Sequence, residues 1–281
     1  MSEAVLYDAV GPRGRRRILI GSIVGVVVLV ALVGAALARL AANGGLDPER
    51  WRILTEPAVQ RLILRGLAAT LRAALVAMVL AMLVGAVLAI GRLSRSSWIA
   101  RLAGAWVELF RGLPLLLLIL FLFLGLPAVG VTISVFWALV LGLTLYNSAV
   151  IGEIFRAGIL SLPRGQTEAA YSIGLRRGQT LRLILIPQAV RRMLPALISQ
   201  LVTLLKDTSL GFVIGYAELL RNGRGAVEFL GGRYSIPIYT AIAVVYIAVN
   251  ASLSFTARWL DRRTRRRYGR TVQPSAADEA A

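Results

Sequence analysis

Ionisable side chains are sparse in this chain, and those deep in apolar sequence are the first candidates for chemistry. Lys206 and Asp207 stand side by side in "LVTLLKDTSL", and Arg72 stands in "ATLRAAL". A charge at the centre of a membrane helix costs about 2.5–3.5 kcal/mol on insertion scales and normally faces protein or water. Neighbouring residues do not share a helix face. Lys206 and Asp207 therefore have different partners, one facing a polar pathway while the other braces a bundle. Arg72 and Lys206 together would attract a carboxylate, although Arg72 fits snorkelling to an interface equally well. Asn147 adds an uncharged donor and acceptor, and its neighbour Ser148 suits packing between helices. Glu108 with Arg111, and Glu153 with Arg156, are three residues apart and can pair along a helix. Each pair fits a plain interfacial ion pair or part of an inner gate.

Other chemistry is closed to the chain. It has no cysteine and no histidine, which removes disulfides, thiolate nucleophiles, histidine metal sites and histidine proton relays. A phosphate-binding P-loop needs G-x-x-x-x-G-K-[ST]. The single lysine, Lys206, follows "TLL" with no such glycines. If ATP drives this protein, another polypeptide binds it, and the chain itself is expected to hold no cofactor and to catalyse no reaction.

The elements that carry these residues follow from the apolar runs. The chain is 57% hydrophobic and 16% charged, well below the ~25% charged residues of a soluble domain. Residues 18–38, 73–91 and 234–257 carry no charge, and 112–152 stays uncharged for twice the length of a span. The last run must turn back, and "LPAVG" at 126–130 supplies the Pro and Gly. The expected fold is all-α and polytopic, with six membrane helices near 18–39, 66–91, 98–126, 131–152, 190–216 and 234–258. Barrel strands would alternate, and these runs do not. The first run ends "AALARLAANGG" and is read as a retained helix, not a signal peptide. Pro114 is expected to kink the third helix just beyond Arg111. "LDPER" at 46–50 reads as an Asp-capped short helix. The C-terminal "QPSAADEAA" is expected to be disordered.

Charge sets the expected orientation. With the N-terminus inside, 22 of the 32 cations lie in inside segments and 8 outside, with Arg72 and Lys206 within helices. The net charge of +18 thus follows the positive-inside rule, and no nucleic-acid partner is expected. The expected organisation is a basic cytoplasmic tail (1–17), an extra N-terminal membrane helix (18–39), an external loop (40–65), a membrane domain (66–258) and a basic cytoplasmic tail (259–281).

That orientation puts residues 161–192 in the cytoplasm. The segment reads as two short helices. One starts after Ser161 and Pro163, carries Ala169, Ala170 and Ile173 on one side, and ends at Gly174 in a left-handed turn. The second runs from about residue 178. Small residues admit a close partner, and Arg164, Arg176, Arg177 and Arg182 offer it charge. From the residues alone, a surface loop and a rigid lever fit equally well.

A resemblance decides between them. "EAA" at 168–170, then Gly174, then "ILIP" at 184–187 resembles the EAA motif of ABC-importer permeases, E-A-A-x3-G-x9-I-x-L-P, with Ile186 in place of Leu. "VELFRGLPLLLLILFLFLGLP", "EIFRAGILSLPRGQTEAA", "LPALISQLVTLLKDTSL" and "GLAATLRAAL" are similar to permeases for polar amino acids, closest to the glutamate/glutamine branch. The similarity covers about residues 60–258 and leaves the first helix outside a five-helix core. Arg176 and Gly178 depart from the Ser and aromatic residue expected there. The resemblance implies that Arg164, Gly165, Glu168, Ala169, Ala170, Gly174, Arg177, Thr180 and Pro187 belong to a coupling segment docking on a cytoplasmic ATPase dimer. It further implies a second permease chain, an external solute-binding protein, a polar amino-acid substrate, and ATP with magnesium on the partner. A secondary transporter or channel needing no ATPase is the alternative, and a basic membrane anchor a third.

Overall fold

The computed structural model describes residues 11–268; the N-terminal ten residues and the tail from 269, including "QPSAADEAA", lie outside the described residues. All regular elements among the described residues are helical. Among the described residues, five helices are long and apolar enough to cross a membrane, or six if one pair bent by 99° is counted as a single span.

Helix α1 (Pro12–Ala42) begins on a proline at its first turn and takes up Arg13 to Arg17, which sequence assigned to a tail. A helix does not stop where its hydropathy stops, because the backbone ladder continues into the headgroup region. None of its apolar window is buried against the rest of the chain. Asp47 then caps the short α2 (Pro48–Trp51) by accepting from the Glu49 N–H, and Trp51 donates to the Gly45 carbonyl.

Helix α3 (Pro57–Arg92) starts nine residues earlier than the charge pattern predicts, again on a proline. It forms the main packing interface with α7 (Val135–Leu160). The cause is a ridge of small buried residues at four-residue intervals: Ala73, Ala77, Ala81, Gly85 and Ala89. Lipid supplies little hydrophobic drive between helices, so close backbone approach and dispersion must hold them. A Cβ at Gly85 would stand 3.1 Å from both the Ser148 carbonyl oxygen and the Gly152 nitrogen.

The expected third helix is two pieces. Helix α4 (Ser97–Gly112) meets the stretch Leu115–Ala128 at 99°. That stretch comprises α5 (Leu115–Leu120), a π-helical turn and α6 (Leu126–Ala128). Leu113 and Pro114 are extended at the corner, where Pro114 offers no N–H to continue a ladder and forces its predecessor away from helical geometry. The expected kink is therefore a full corner. Beyond it Ile119 packs where Gly142 of α7 leaves room.

After α7 come α8 (Arg164–Ser172) and the single turn α9 (Arg177–Gln179), then a π-helical stretch, Thr180–Leu185, leading without a break into α10 (Ile186–Asp207). Lys206 and Asp207 thus end the α-helix instead of sitting at its middle. Thr208 and Ser209 donate to the carbonyls of Leu205 and Lys206, and the chain tightens into 3-10 geometry over Thr208–Ile214. Gly215, at φ +81°, closes it. Helices α11 (Leu219–Leu230) and α12 (Ser235–Tyr268) complete the bundle.

Candidate functional site

The segment between α7 and α10 is built as one rigid unit. Pro163 opens α8, and Gly174 closes it at φ +82°. The Gly174 N–H donates to the Tyr171 carbonyl and the Leu175 N–H to the Ala170 carbonyl, the paired bonds of a left-handed helix stop. The Arg176 N–H then donates to Gln179 Oε1, which starts α9. Thr180 is buried, with its hydroxyl returning to the Arg176 carbonyl.

Two contacts fasten this unit to the spanning helices, and a third joins α10 to the end of α7. Arg177 Nη2 donates to the Leu93 carbonyl, the C-cap of α3, at 2.6 Å. Arg192 of α10 donates to the carbonyl of Ser161, the C-cap of α7, at 2.5 Å. Gln188 donates to Gln166 Oε1 at 3.1 Å, joining α10 to α8. Each bond satisfies a backbone or side-chain acceptor near a helix end, where carbonyls otherwise lack partners. Of these residues, sequence reading picked out Arg177 alone. Gln166, Gln188 and Arg192 carry no spacing signal.

The outward face of α8 differs from the sequence reading. Ala170 is buried, whereas Ala169, Glu168, Tyr171 and Ile173 are exposed. Ala169 and Ala170 cannot share a face because successive helical residues are rotated by about 100°. Arg164 and Gly165 lie exposed at the start of α8, and Pro187 is exposed in the first turn of α10.

At the same end of the bundle, Glu153 pairs with Arg156 at 2.8 Å, as the spacing predicts, and also with Arg92 of α3 at 3.1 Å. One carboxylate thus holds two guanidinium groups and ties α7 to α3. Glu108 and Arg111 form a separate exposed pair at 3.4 Å.

The intramembrane candidates have distinct surroundings. Arg72 is exposed, with its guanidinium 4.8 Å from the Phe136 ring centroid. Asn147 is fully buried; its amide donates to the Leu143 carbonyl and accepts from Gln200 of α10 at 2.7 Å. Ser148 donates to Leu145 within α7. Lys206 is exposed and Asp207 partly buried.

One buried carboxylate was missed. Glu218, in the connection between the last two spans, has no exposed surface. Its two oxygens accept from the N–H groups of Leu220 and Arg221 at 2.8 and 2.7 Å, and from the Tyr246 hydroxyl of α12 at 2.9 Å. It caps α11 and ties it to α12. Beside it the Leu219 N–H donates to Thr70 Oγ1 of α3, and Gly66 lets α11 approach closely, since a Cβ there would lie 2.8 Å from Leu219 Cα. Burial pushes the Glu218 carboxyl above its ordinary value, against the lowering effect of its three donors. "AELL" held a readable signal, a carboxylate ahead of an apolar helix start.

Comparison with known proteins agrees with the fold. The family described as "Binding-protein-dependent transport system inner membrane component" matches residues 81–266. The chain belongs to this family. Among its relatives, the glutamate transport system permease protein GluD of Corynebacterium glutamicum is 39% identical over 80% of this chain and 84% of its own length. The probable glutamine ABC transporter permease protein GlnP of Bacillus subtilis is 41% identical over 70% of this chain and 91% of its own. In structure, an amino acid ABC transporter crystallised with histidines superposes with a TM-score of 0.70 at 33% identity, covering 75% of this permease and 97% of that chain. The inner membrane component spans the bilayer and works with a binding protein and an ATPase.

Proposed function

We propose that this chain is the permease subunit of an ATP-driven importer for polar amino acids of the glutamate and glutamine class. The relatives named above carry those substrates in their descriptions. In this reading the N- and C-termini are cytoplasmic, as the arginine distribution indicates, and two permease chains, identical or related, enclose the pathway. An external binding protein delivers the solute. A separate ATPase dimer binds ATP and magnesium and closes on α8 and the turn that follows. The exposed face of Arg164, Gly165, Glu168, Ala169 and Tyr171 meets it. The buried side, through Ala170 and Thr180, passes the movement inward.

The observation that carries this reading is the fastening of the α8–α9 unit to α3 and α10, with Arg192 closing α10 onto the end of α7. A surface loop would need no such ties. A lever must be stiff, and its load must reach the spanning helices through bonds that do not slip. Opening and closing then alternate access to a pathway to which Arg72, Asn147, Lys206 and Asp207 contribute. Glu108, Arg111, Glu153 and Arg156 close its inner end. The permease alters no bond of the solute.

Ala169→Asp tests the docking. Ala169 is exposed, so the variant should fold and insert normally, while ATP-driven uptake falls at least tenfold in the assembled transporter. Unchanged uptake would exclude α8 as the docking element.

A further inference from the structure

The face of helix α4 turned away from the bundle has surroundings that the transport reading leaves unassigned. The helix follows α3 after a four-residue turn and packs on α3 and α7 through Gly104 and Val107, both buried. The opposite face carries Trp98 and Leu102, each 76% exposed, with Leu109 in line with them. Seen down the helix, its two flanks differ. Arg101 and Glu108 lie on one, and Ile99, Trp106 and Phe110 on the other, by the helical repeat. Arg101 lies across the Trp98 ring, 4.7 Å from the centroid, and exposed Arg95 precedes the first turn. The helix also meets the following apolar stretch at 99°.

We infer that α4 lies in the plane of the membrane, at the interface where α3 ends, and binds anionic phospholipid headgroups along its arginine flank. A helix with protein on one side, a charged flank and an apolar flank fits one environment: bundle beside it, water above, hydrocarbon below. Trp98 and Trp106 suit the headgroup level, because an indole is apolar with one polar N–H. Arg95 and Arg101 outnumber Glu108 there, and that sign matches anionic lipid. A second permease chain seated on the face would bury Trp98 and Leu102 and would have no use for the guanidinium fringe. The inference rests on the reading of the chain as a membrane permease, but depth within a bilayer is measurable whether or not uptake is observed. It is also independent of which leaflet α4 occupies.

The chain has no cysteine, so Leu102→Cys and Leu109→Cys each introduce one labelling site per permease chain, labelled on the purified permease before it is assembled with its partners in vesicles containing phosphatidylglycerol. The two positions lie about 10 Å apart along the helix axis. A fluorophore at each, quenched by lipids carrying nitroxides at known depths, should report the same depth within a few ångström, about 5–10 Å below the headgroups. Brominated phosphatidylglycerol should quench the 102 label more strongly than brominated phosphatidylcholine, and Arg95→Gln with Arg101→Gln should bring the two to equality. Depths differing by about 10 Å would show an inclined span instead. Labels shielded from all lipid quenchers would show that a second chain covers the face. Equal quenching by the two brominated lipids in the unsubstituted background would remove the anionic preference. Each of these three results overturns the inference.

Discussion

Replacing Glu218 by Ala removes three hydrogen bonds at once, and their sizes set the expected loss. The cap on Leu220 and Arg221 is worth about 0.5–2 kcal/mol. The Tyr246 hydroxyl, deprived of the acceptor for its proton inside the bundle, costs about 1–3 kcal/mol more. Against this, the substitution relieves the burial of a carboxylate. The net loss expected at low pH is about 2 kcal/mol, which in a chain of this size lowers a thermal midpoint by roughly 4–8 °C. The pH dependence has a definite sign. Burial raises the folded-state value of this carboxyl above its ordinary one, so the folded protein binds the proton more tightly than the unfolded chain. That stabilisation is complete below the ordinary carboxylate value and is lost as pH rises through the folded value. The gap between wild type and Glu218→Ala should therefore narrow as pH rises. Thermal unfolding of the purified transporter in detergent, at several pH values, measures both effects. Tyr246→Phe should cost about 1 kcal/mol, and the double variant less than the sum of the singles. A midpoint within about 1 °C of wild type at low pH, or a gap that widens with pH, would refute the reasoning.

Three further outcomes follow from other contacts. Arg177→Gln removes the bond to the Leu93 carbonyl; the site is exposed, so we expect near-normal stability, retained ATP hydrolysis and uptake per ATP reduced roughly two- to fivefold, from about 0.5–1 kcal/mol of lost fastening. Gly85→Leu forces side-chain atoms between α3 and α7, and overpacking costs at least about 1–3 kcal/mol; the yield of folded permease in size-exclusion chromatography should fall, whereas Leu83→Ala on the lipid face should leave it unchanged. Lys206→Met should weaken uptake of an acidic substrate more than of a neutral one, seen as a changed glutamate-to-glutamine ratio, and an unaltered ratio would remove Lys206 from the pathway.

How much was legible can be argued from particular residues. Uncharged runs locate the spans because lipid tolerates few alternatives to a closed helix. Gly174 and Asp47 act locally, so their helix stop and cap were visible in advance, while Pro114 signalled a kink in one helix and not the 99° corner between two. Helix ends were misplaced where hydropathy and hydrogen bonding part company. Arg61 and Arg65 end the uncharged run, yet α3 continues through them to Pro57. The four-residue register of small residues in α3 was present in the sequence, but only its partner helix gives it meaning. Arg92, Gln166, Gln188, Arg192 and Glu218 acquire their roles from residues far along the chain, from 22 positions away for Gln188 and Gln166 to 61 for Arg92 and Glu153. No local pattern marks such partners. Of the coupling segment, spacing fixed the motif and its turn, while the outward choice of Ala169 over Ala170 depended on how α8 packs.

The most direct measurement is uptake of labelled glutamate and glutamine into vesicles assembled with the permease alone, with its ATPase, and with ATPase and binding protein together. We expect transport only in the complete assembly, dependent on ATP and lost with Ala169→Asp. Full-rate uptake by the permease alone, driven by an ion gradient without ATP, would contradict the view of this chain as a gate moved through its α8–α9 segment.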